Sequence, residues 1–331
     1  MHNILLIKPS ALGDVIQATC MLPVIKKHNP SAKISWLVFE HNKDIVVDHP
    51  LIDEVFVLKR RGNSIRTLWQ LIKKLRSRKF DAVIDAQGLL RSGLIAWFTG
   101  CKRRIGFNNA CEMAPWFYTE KYDIPTRAMH AVNGYLKLCE ALGIPKLPEV
   151  TFPLPIKQHH QEKISALLNA QQKPLITICP TARWQTKCWP KASFAALADA
   201  LKNKYQGTII FVGAPNEQDV IKNVINLMQK EALDFTGKLN LIEIAALLQK
   251  SDLFVGNDSG LMHMAAATKT PSVAIFGPTD PRRTGPYNSK AQVVKEDFSC
   301  EPCFKRECKY DMKCMRELSV EKVLQACMEL V

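Results

Sequence analysis

Short apolar runs alternate with amphipathic stretches along nearly the whole chain, and this rhythm limits the fold more than any other feature. Residues 4–7 (Ile-Leu-Leu-Ile) read as a buried strand, and the segment 15–27 that follows has a helical pattern. "ISWLVF" (34–39), "VFVL" (55–58) and "DAVIDAQG" (81–88) read as further strands, the last running into a loop. Apolar runs without polar alternation are strands covered on both faces, and that requires a parallel sheet with helices on either side. Between 64 and 78, Ile65, Leu68, Ile72 and Leu75 recur at helical spacing and share one face.

"LGIPKLPEVTFPLP" (142–155) interrupts the rhythm. Its four prolines continue neither a helix nor a central strand, so it reads as a linker. The alternation then resumes with strands at 175–179, 208–213, 252–257 and 272–277 and a short one at 234–237, separated by helices at 191–203, 216–229, 240–249 and 259–267. A second parallel sheet of at least four strands follows. The chain of 331 residues thus reads as two α/β, doubly wound, Rossmann-like domains, 1–150 and 151–331, facing across a cleft. The last helix, at about 319–330, is expected to pack back on the N-terminal domain. Open parallel sheets bind ligands outside the carboxyl ends of their strands, so the informative loops are 8–14, 86–91, 180–187, 213–217, 256–260 and 277–287.

Charge narrows the partners. The net charge is +14, of which +9 falls in residues 1–150. Nine cations lie in residues 59–79 with no acid among them, a pattern that suits an anionic partner or simply a solvated helix face. No apolar run reaches the length of a membrane span. The N-terminal run ends at Lys8 with no small-residue cleavage site, so the expected location is the cytoplasm. No recognised RNA-binding motif accompanies the charge, so no nucleic-acid partner is expected. The chain also has no G-x-G-x-x-G after a strand, no P-loop, no G-x-S-x-G and no H-E-x-x-H, which removes the main support for dehydrogenase, NTPase, hydrolase and zinc-peptidase readings.

Three loops carry chemistry. In "GNDSGLMHMAAA" (256–267) a strand ends and Asp258-Ser259-Gly260 opens an alanine-rich helix. The free N–H groups of its first turn make a seat for a diphosphate, and His263 lies one turn further along. Capping by Asp258 or Ser259 with a core histidine is the plainer reading. "PTARWQTKCWP" (180–190) offers Lys187 to neutralise a leaving phosphate, and "VGAPNEQD" (212–219) offers Glu217 to a ribose diol. "KPSALGDVIQA" (8–18) places Asp14 after the first strand. Asp14 and Gln17 fit an N-cap and its N3 partner, and Asp14 equally fits a base presented at a strand end.

"KPSALGDVIQA", "DAVIDAQGLLRSGLIA", "KCWP", "GNDSGLMHMAAA" and "FGPTDP" (276–281), in that order, resemble the bacterial lipopolysaccharide heptosyltransferases, glycosyltransferase family nine, from residue 4 to the end. The resemblance implies the GT-B architecture and transfer of heptose from ADP-heptose to the Kdo/heptose inner core of lipopolysaccharide, with inversion at the anomeric carbon. It implies that Asp14 is the general base and that Lys187 meets the donor phosphates. Asp258, Ser259, Gly260, Leu261 and His263 would hold the ADP-sugar, Glu217 the ribose, and Leu239 would lie beside the adenine. On the acceptor side it places Ser10, Gly13, the basic loop Lys59, Arg60 and Arg61, and Gln87 with Arg91. Ala182 and Arg183 stand where some members carry a hydroxyl pair, with Thr181 adjacent, a departure from the family pattern; the resemblance places Thr181 and Arg183 on the donor side. The N-terminal half looks like the first heptosyltransferase and the tail like other branches, which leaves the acceptor open. A sibling enzyme using another nucleotide-sugar is the alternative.

An inverting transfer needs one base and no covalent intermediate. With no Asp-x-Asp diad in view, no cofactor or metal is expected. The acceptor that the resemblance implies is a Kdo-bearing glycolipid, so peripheral association with the inner face of the cytoplasmic membrane is expected, the basic segment supplying attraction.

Eleven cysteines remain. Seven are scattered and read as small buried hydrophobes. Cys300, Cys303, Cys308 and Cys314 have the spacing C-x2-C-x4-C-x5-C. Four thiols this close could bind zinc, but the last two are not a C-x2-C pair, and thiols packed in a loop are the main expectation.

Overall fold

The computed structural model describes residues 2–123, 129–145, 147–300 and 302–331. The chain divides into two compact units, Met1–Pro155 and Ile156–Val331. The division falls at the end of the proline-rich linker rather than at 150; Lys146, within that linker, lies outside the described residues.

In the first unit the strands are β1 (Asn3–Ile7), β2 (Lys33–Phe39), β3 (Glu54–Leu58), β4 (Ala82–Asp85), β5 (Arg104–Phe107) and β6 (Glu120–Tyr122). They form one sheet in the order β3-β2-β1-β4-β5-β6, every pairing parallel. Its helices are α1 (Leu12–Ala18), α2 (Met21–His28), α3 (Ile65–Ser77), α4 (Leu90–Phe98) and α5 (Ala131–Glu140). Two short 3₁₀ turns, Glu40–Ile45 and Ala114–Phe117, sit in connections.

The sequence pattern misses β5, β6, α4 and α5. The outer strands are short, and β6 is polar and half-exposed, so neither shows an apolar run. The single helix expected over 15–27 is two, because Pro23 has no N–H to continue the ladder of α1 and tolerates only the first turn of a new helix. On α3, Leu68, Leu71, Ile72 and Leu75 meet the sheet, whereas Ile65 stays 76% exposed.

The second unit begins with α6 (Gln158–Leu168). Its strands are β7 (Leu175–Cys179), β8 (Thr208–Phe211), β9 (Leu233–Asp234), β10 (Leu253–Asn257), β11 (Ser272–Ile275) and β12 (Ala291–Val294). They order as β12-β11-β10-β7-β8-β9, again all parallel. The helices α7 (Lys191–Tyr205), α8 (Gln218–Leu227), α9 (Leu241–Lys250) and α10 (Gly260–Ala267) cross between strands. Three short ones follow: α11 (Pro281–Thr284), α12 (Lys313–Arg316) and α13 (Val320–Met328).

The sheet has six strands where four were the minimum expected. Val323, Ala326 and Cys327 of α13 lie in the core of the second unit with Leu197 and Leu201 of α7. A Val or Leu side chain contributes about 1.5–3 kcal/mol when fully removed from water, and Ala and Cys less, which holds α13 where it is.

Both sheets have the doubly wound order, so each reverses direction once, between β1 and β4 and between β7 and β10. A crevice opens at such a reversal, outside the carboxyl ends of the two flanking strands. The four loops that leave those strands carry Asp14, Gln87, Lys187 and Asp258.

Candidate active site

In the second unit the loop after β7 ends in a 3₁₀ turn, Gln185–Lys187. It delivers Lys187 to the end of β10. Lys187 Nζ lies 2.6 Å from Asp258 Oδ2, and Thr279 Oγ1, from the loop after β11, donates to the same oxygen at 2.6 Å. Asp258 is 5% exposed, so one buried carboxylate oxygen fixes both the ammonium and the hydroxyl. Asp258 therefore does not cap α10; it orients the lysine.

Asn257 locks the same loop, accepting from Trp189 N at 3.0 Å and donating to Pro180 O at 2.9 Å. Two cations lie over the Trp184 ring, Lys187 Nζ at 4.7 Å and the Arg306 guanidinium at 5.2 Å from its centre.

Ser259 precedes α10 with extended backbone, and its side chain makes no capping bond. Its Oγ is buried and without a hydrogen-bond partner among the described residues. The first-turn N–H groups and this hydroxyl are thus left for a ligand. Leu261 and His263 on α10 are buried, at 8% and 9% exposure. Thr181 is buried with its hydroxyl 3.5 Å from Cys179 Sγ, while Arg183 is exposed.

Glu217 and Leu239 stand on the β8–β9 side. Glu217 Oε2 accepts from Ala214 N at 2.7 Å, so it closes its own turn as an acid before a helix does. Burial pushes the Cys179 thiol up to about 11, and the Glu217 charge adds to the rise. Leu239 is 9% exposed. Gly237 binds Gly213 O at 3.0 Å with a φ of +69°, a left-handed backbone that favours glycine. That turn brings the Glu217 and Leu239 loops together.

In the first unit, Asp14 is the third residue of α1 rather than its N-cap, which is Ala11. Asp14 Oδ2 accepts from Ala11 N at 2.9 Å and Oδ1 from the Tyr135 hydroxyl at 3.5 Å. Gln17 accordingly plays no part in a capping box with Asp14. Gly13 is buried and Asp14 half-buried. Lys8 Nζ sits 5.4 Å from the centre of the Tyr135 ring. Ser10 N donates to Gln87 Oε1 at 3.2 Å, joining the loops after β1 and β4.

Asp85 shapes the second of these loops. Its Oδ1 accepts from Gln87 N at 2.9 Å and Gly88 N at 3.2 Å, and its Oδ2 accepts from the Tyr118 hydroxyl at 2.6 Å. Burial pushes the Asp85 carboxyl above the ordinary range, against the pull of these donors. Burial, then the neighbouring Asp85 charge, pushes the Tyr118 phenol up as well. Arg91 donates to Arg60 O at 2.8 Å and Lys59 O at 3.3 Å and lies 5.1 Å from the Phe39 ring. It ties down the basic loop through its backbone and leaves the side chains of Lys59, Arg60 and Arg61 exposed.

Sequence reasoning missed Tyr135, Asp85, Asn257 and Thr279 as working parts. Asp85 ends an apolar strand and Thr279 lies inside "FGPTDP", so both left a trace. Tyr135 comes 121 residues after Asp14 and left none.

The cysteine segment braces the loops after β7 and β11. Thr186 Oγ1 donates to Lys305 O at 2.9 Å and Phe304 N to Pro278 O at 2.8 Å. Cys314 is buried against Gly277, while Cys300 and Cys308 are exposed. Among the described residues no group of three or more His, Cys, Asp or Glu side chains is arranged to hold a metal ion. The scattered cysteines are buried or half-buried except Cys111, which is exposed.

The model of glycosyltransferase family 9 (heptosyltransferase) matches residues 68–314. Lipopolysaccharide heptosyltransferase 1 of Campylobacter coli is 30% identical over 293 residues, 84% of this chain and 84% of that protein. The Pseudomonas aeruginosa protein of the same name is 29% identical over 321 residues, 93% and 88% of the two chains. Among solved structures, a family 9 glycosyl transferase from Veillonella parvula superposes with a TM-score of 0.86 at 25% identity, over 99% of this chain and 97% of that one. E. coli heptosyltransferase WaaC with ADP superposes with a TM-score of 0.80 at 23% identity, over 99% and 100%, which speaks to the GT-B fold. The chain belongs to glycosyltransferase family 9, the heptosyltransferase family, and is a glycosyltransferase.

Proposed function

We propose that this enzyme transfers heptose from ADP-heptose to the Kdo/heptose inner core of lipopolysaccharide, inverting the anomeric carbon and using no metal ion. The observation that carries the donor half is the set of groups at the start of α10. Lys187 is fixed by Asp258 and Thr279, and Ser259 Oγ is buried and uncommitted. Fixed positive groups beside free helix N–H groups stabilise charge developing on a departing diphosphate. Glu217 and Leu239 would take the ribose and adenine.

Asp14 acts as the base, removing the acceptor proton as that oxygen attacks opposite the departing ADP. One carboxylate suffices for this chemistry. The loop of Ser10, Gly13 and Gln87 and the cations Lys59, Arg60 and Arg61 face the anionic acceptor. Relatives named as types 1, 2 and 3 all match this chain, so the acceptor is the finer question. No helix among the described residues is long and apolar enough to cross a membrane. We place the enzyme in the cytoplasm, peripherally bound where the lipid-linked acceptor lies.

Radiolabelled heptose transfer onto Kdo-lipid A and onto a singly heptosylated core tests this. Label in one of the two names the acceptor. No label in either, with transfer from a UDP- or GDP-sugar instead, would replace the donor assignment with a sibling activity.

A further inference from the structure

Three of the six tryptophans of the chain stand out from the surface of the first unit. Trp69 is 62% exposed, Trp97 50% and Trp116 78%. On α3, at about 100° per residue, Ile65, Trp69, Lys73 and Arg76 fall within an arc of about 80°, off to one side of the Leu68, Leu71 and Leu75 positions that meet the sheet. The Arg76 guanidinium reaches Gly100, lying 3.7 Å from where a Cβ would sit there. Gly100 follows α4, whose last residues are Trp97 and Phe98, ring centres 4.9 Å apart. Trp97 in turn lies 6.3 Å from Phe117, in the turn that carries exposed Trp116 and follows exposed Met113. The exposed apolar groups therefore lie along a belt of three adjoining elements, α3, the end of α4 and residues 113–117, with the Arg76 guanidinium between the first two.

Cations border this belt. Of the nine in residues 59–79, Lys74 and Arg78 pair with Glu54. The other seven have no carboxylate within ion-pair distance among the described residues. Monomers rarely expose a contiguous apolar patch without a use for it, and tryptophan beside lysine and arginine is the composition that settles at a bilayer interface.

We infer that this belt docks the enzyme on an anionic lipid bilayer, the rings entering the headgroup layer and the cations meeting lipid phosphates. Charge decides the occupant: a second copy would set Arg66, Lys73 and Arg76 against the same three cations. The inference deepens the proposed function and rests on its lipid-linked acceptor. The stripe on α3 begins next to the loop that Arg91 holds through Lys59 O and Arg60 O. α4 spans about 13 Å for its nine residues, from beside the Gln87 loop to Phe98. An acceptor whose lipid stays in the bilayer has its sugars within that reach of the loop.

The test uses the full chain and vesicles of phosphatidylcholine with or without phosphatidylglycerol. Co-sedimentation is expected only with the anionic vesicles and should weaken with added salt. A blue shift of tryptophan emission should accompany it. The triple variant Trp69→Ala/Trp97→Ala/Trp116→Ala should bind at least tenfold more weakly and lose the blue shift, and Arg66→Glu/Lys73→Glu should weaken binding while leaving the rings in place. Both should keep wild-type transfer to a delipidated acceptor and lose it selectively on vesicle-borne acceptor. Wild-type vesicle binding by the triple variant would overturn the inference, and so would equal binding to neutral vesicles. A dimer that the triple variant dissolves, or tight RNA binding without vesicle binding, would also overturn it. Vesicle binding without heptose transfer to either acceptor would instead count against the proposed function and leave the docking surface standing.

Discussion

Asp258 Oδ2 accepts two donors at 2.6 Å, Lys187 Nζ and Thr279 Oγ1, so the cation assigned to the leaving phosphate is held in place by a buried anion. In Asp258→Ala the lysine loses its anchor and swings toward solvent or Trp184. The same change removes a negative charge from beside the diphosphate, which favours binding. Positioning should suffer more than affinity, and turnover is expected to fall by roughly 10–100-fold, the equivalent of about 1.4–2.8 kcal/mol. ADP affinity should change by less. Asp258→Asn keeps an acceptor oxygen and should lie between. Calorimetry with ADP beside turnover measurements decides it; a large loss of ADP affinity at normal turnover would contradict the anchoring role.

Asp14→Ala is expected to lower turnover by roughly 10²–10⁴-fold, the usual range for a lost general base, with ADP affinity little changed because the donor groups lie in the other unit. Tyr135→Phe removes only the donor to Oδ1. It should lower kcat less than Asp14→Ala does, with KM for both substrates nearly unchanged, since the phenol reaches the carboxylate proposed as base. Normal turnover in Asp14→Ala would leave Asp14 as a closure for the first turn of α1.

Asp85 holds three donors from a fully buried position. Asp85→Ala strands two backbone N–H groups and the Tyr118 hydroxyl, and each unsatisfied buried group costs about 1–3 kcal/mol. A drop of several degrees in Tm is expected, together with a raised acceptor KM as the Gln87 loop loosens. Gln87→Ala separates the two effects: it should leave Tm alone and still raise acceptor KM. Equal acceptor KM in Gln87→Ala and wild type would remove Gln87 from the acceptor site.

The halves of the fold differ in how far the sequence discloses them. Central strands such as β7 and β10, covered on both faces, must be continuous apolar runs, so composition alone marks them. β5 and β6 lie toward one sheet edge, are three or four residues long, and carry charge that the edge tolerates, so no period betrays them. The proposed donor site is legible for a local reason: Lys187, Asp258, Ser259 and Gly260 occupy loops whose residue types are themselves unusual after an apolar run. What stays hidden is pairing across the fold. "FGPTDP" marks Thr279 but not its partner, nothing around Tyr135 announces that it will donate to a carboxylate, and Asp14 looks like an N-cap until the true start of α1 is known.

Transfer is expected to survive EDTA. Leaving-group charge is assigned to the Lys187 ammonium and the α10 N-terminus, both part of the chain, so chelation removes nothing from that assignment. Full loss of turnover in EDTA, restored by Mg²⁺, would transfer that role to a metal.

His49 supplies a pH-dependent element of stability in the first unit. It is 3% exposed; its Nδ1 accepts from Leu51 N at 3.1 Å, which leaves the hydrogen on Nε2 to donate to Pro153 O, also at 3.1 Å. Both nitrogens are satisfied in the neutral ring, and a second proton would point at the Leu51 N–H. Burial accordingly pulls the imidazole below its usual 6.5, outweighing the opposing effect of the Pro153 carbonyl. The unfolded chain therefore takes up this proton first as pH falls. The contribution is complete above about 6.5 and is lost as pH drops from there through the lower folded value. His49→Asn should reduce Tm at pH 7.5, by the amount that breaking one buried tether costs, about 1–3 kcal/mol. Comparison of the two proteins cancels the carboxylates that titrate in both. The gap in Tm between wild type and His49→Asn should narrow from pH 7.5 to pH 5.0. A gap that stayed constant or widened toward acid would mean that His49 is protonated inside the fold and that its tie to Pro153 is not the neutral pair described.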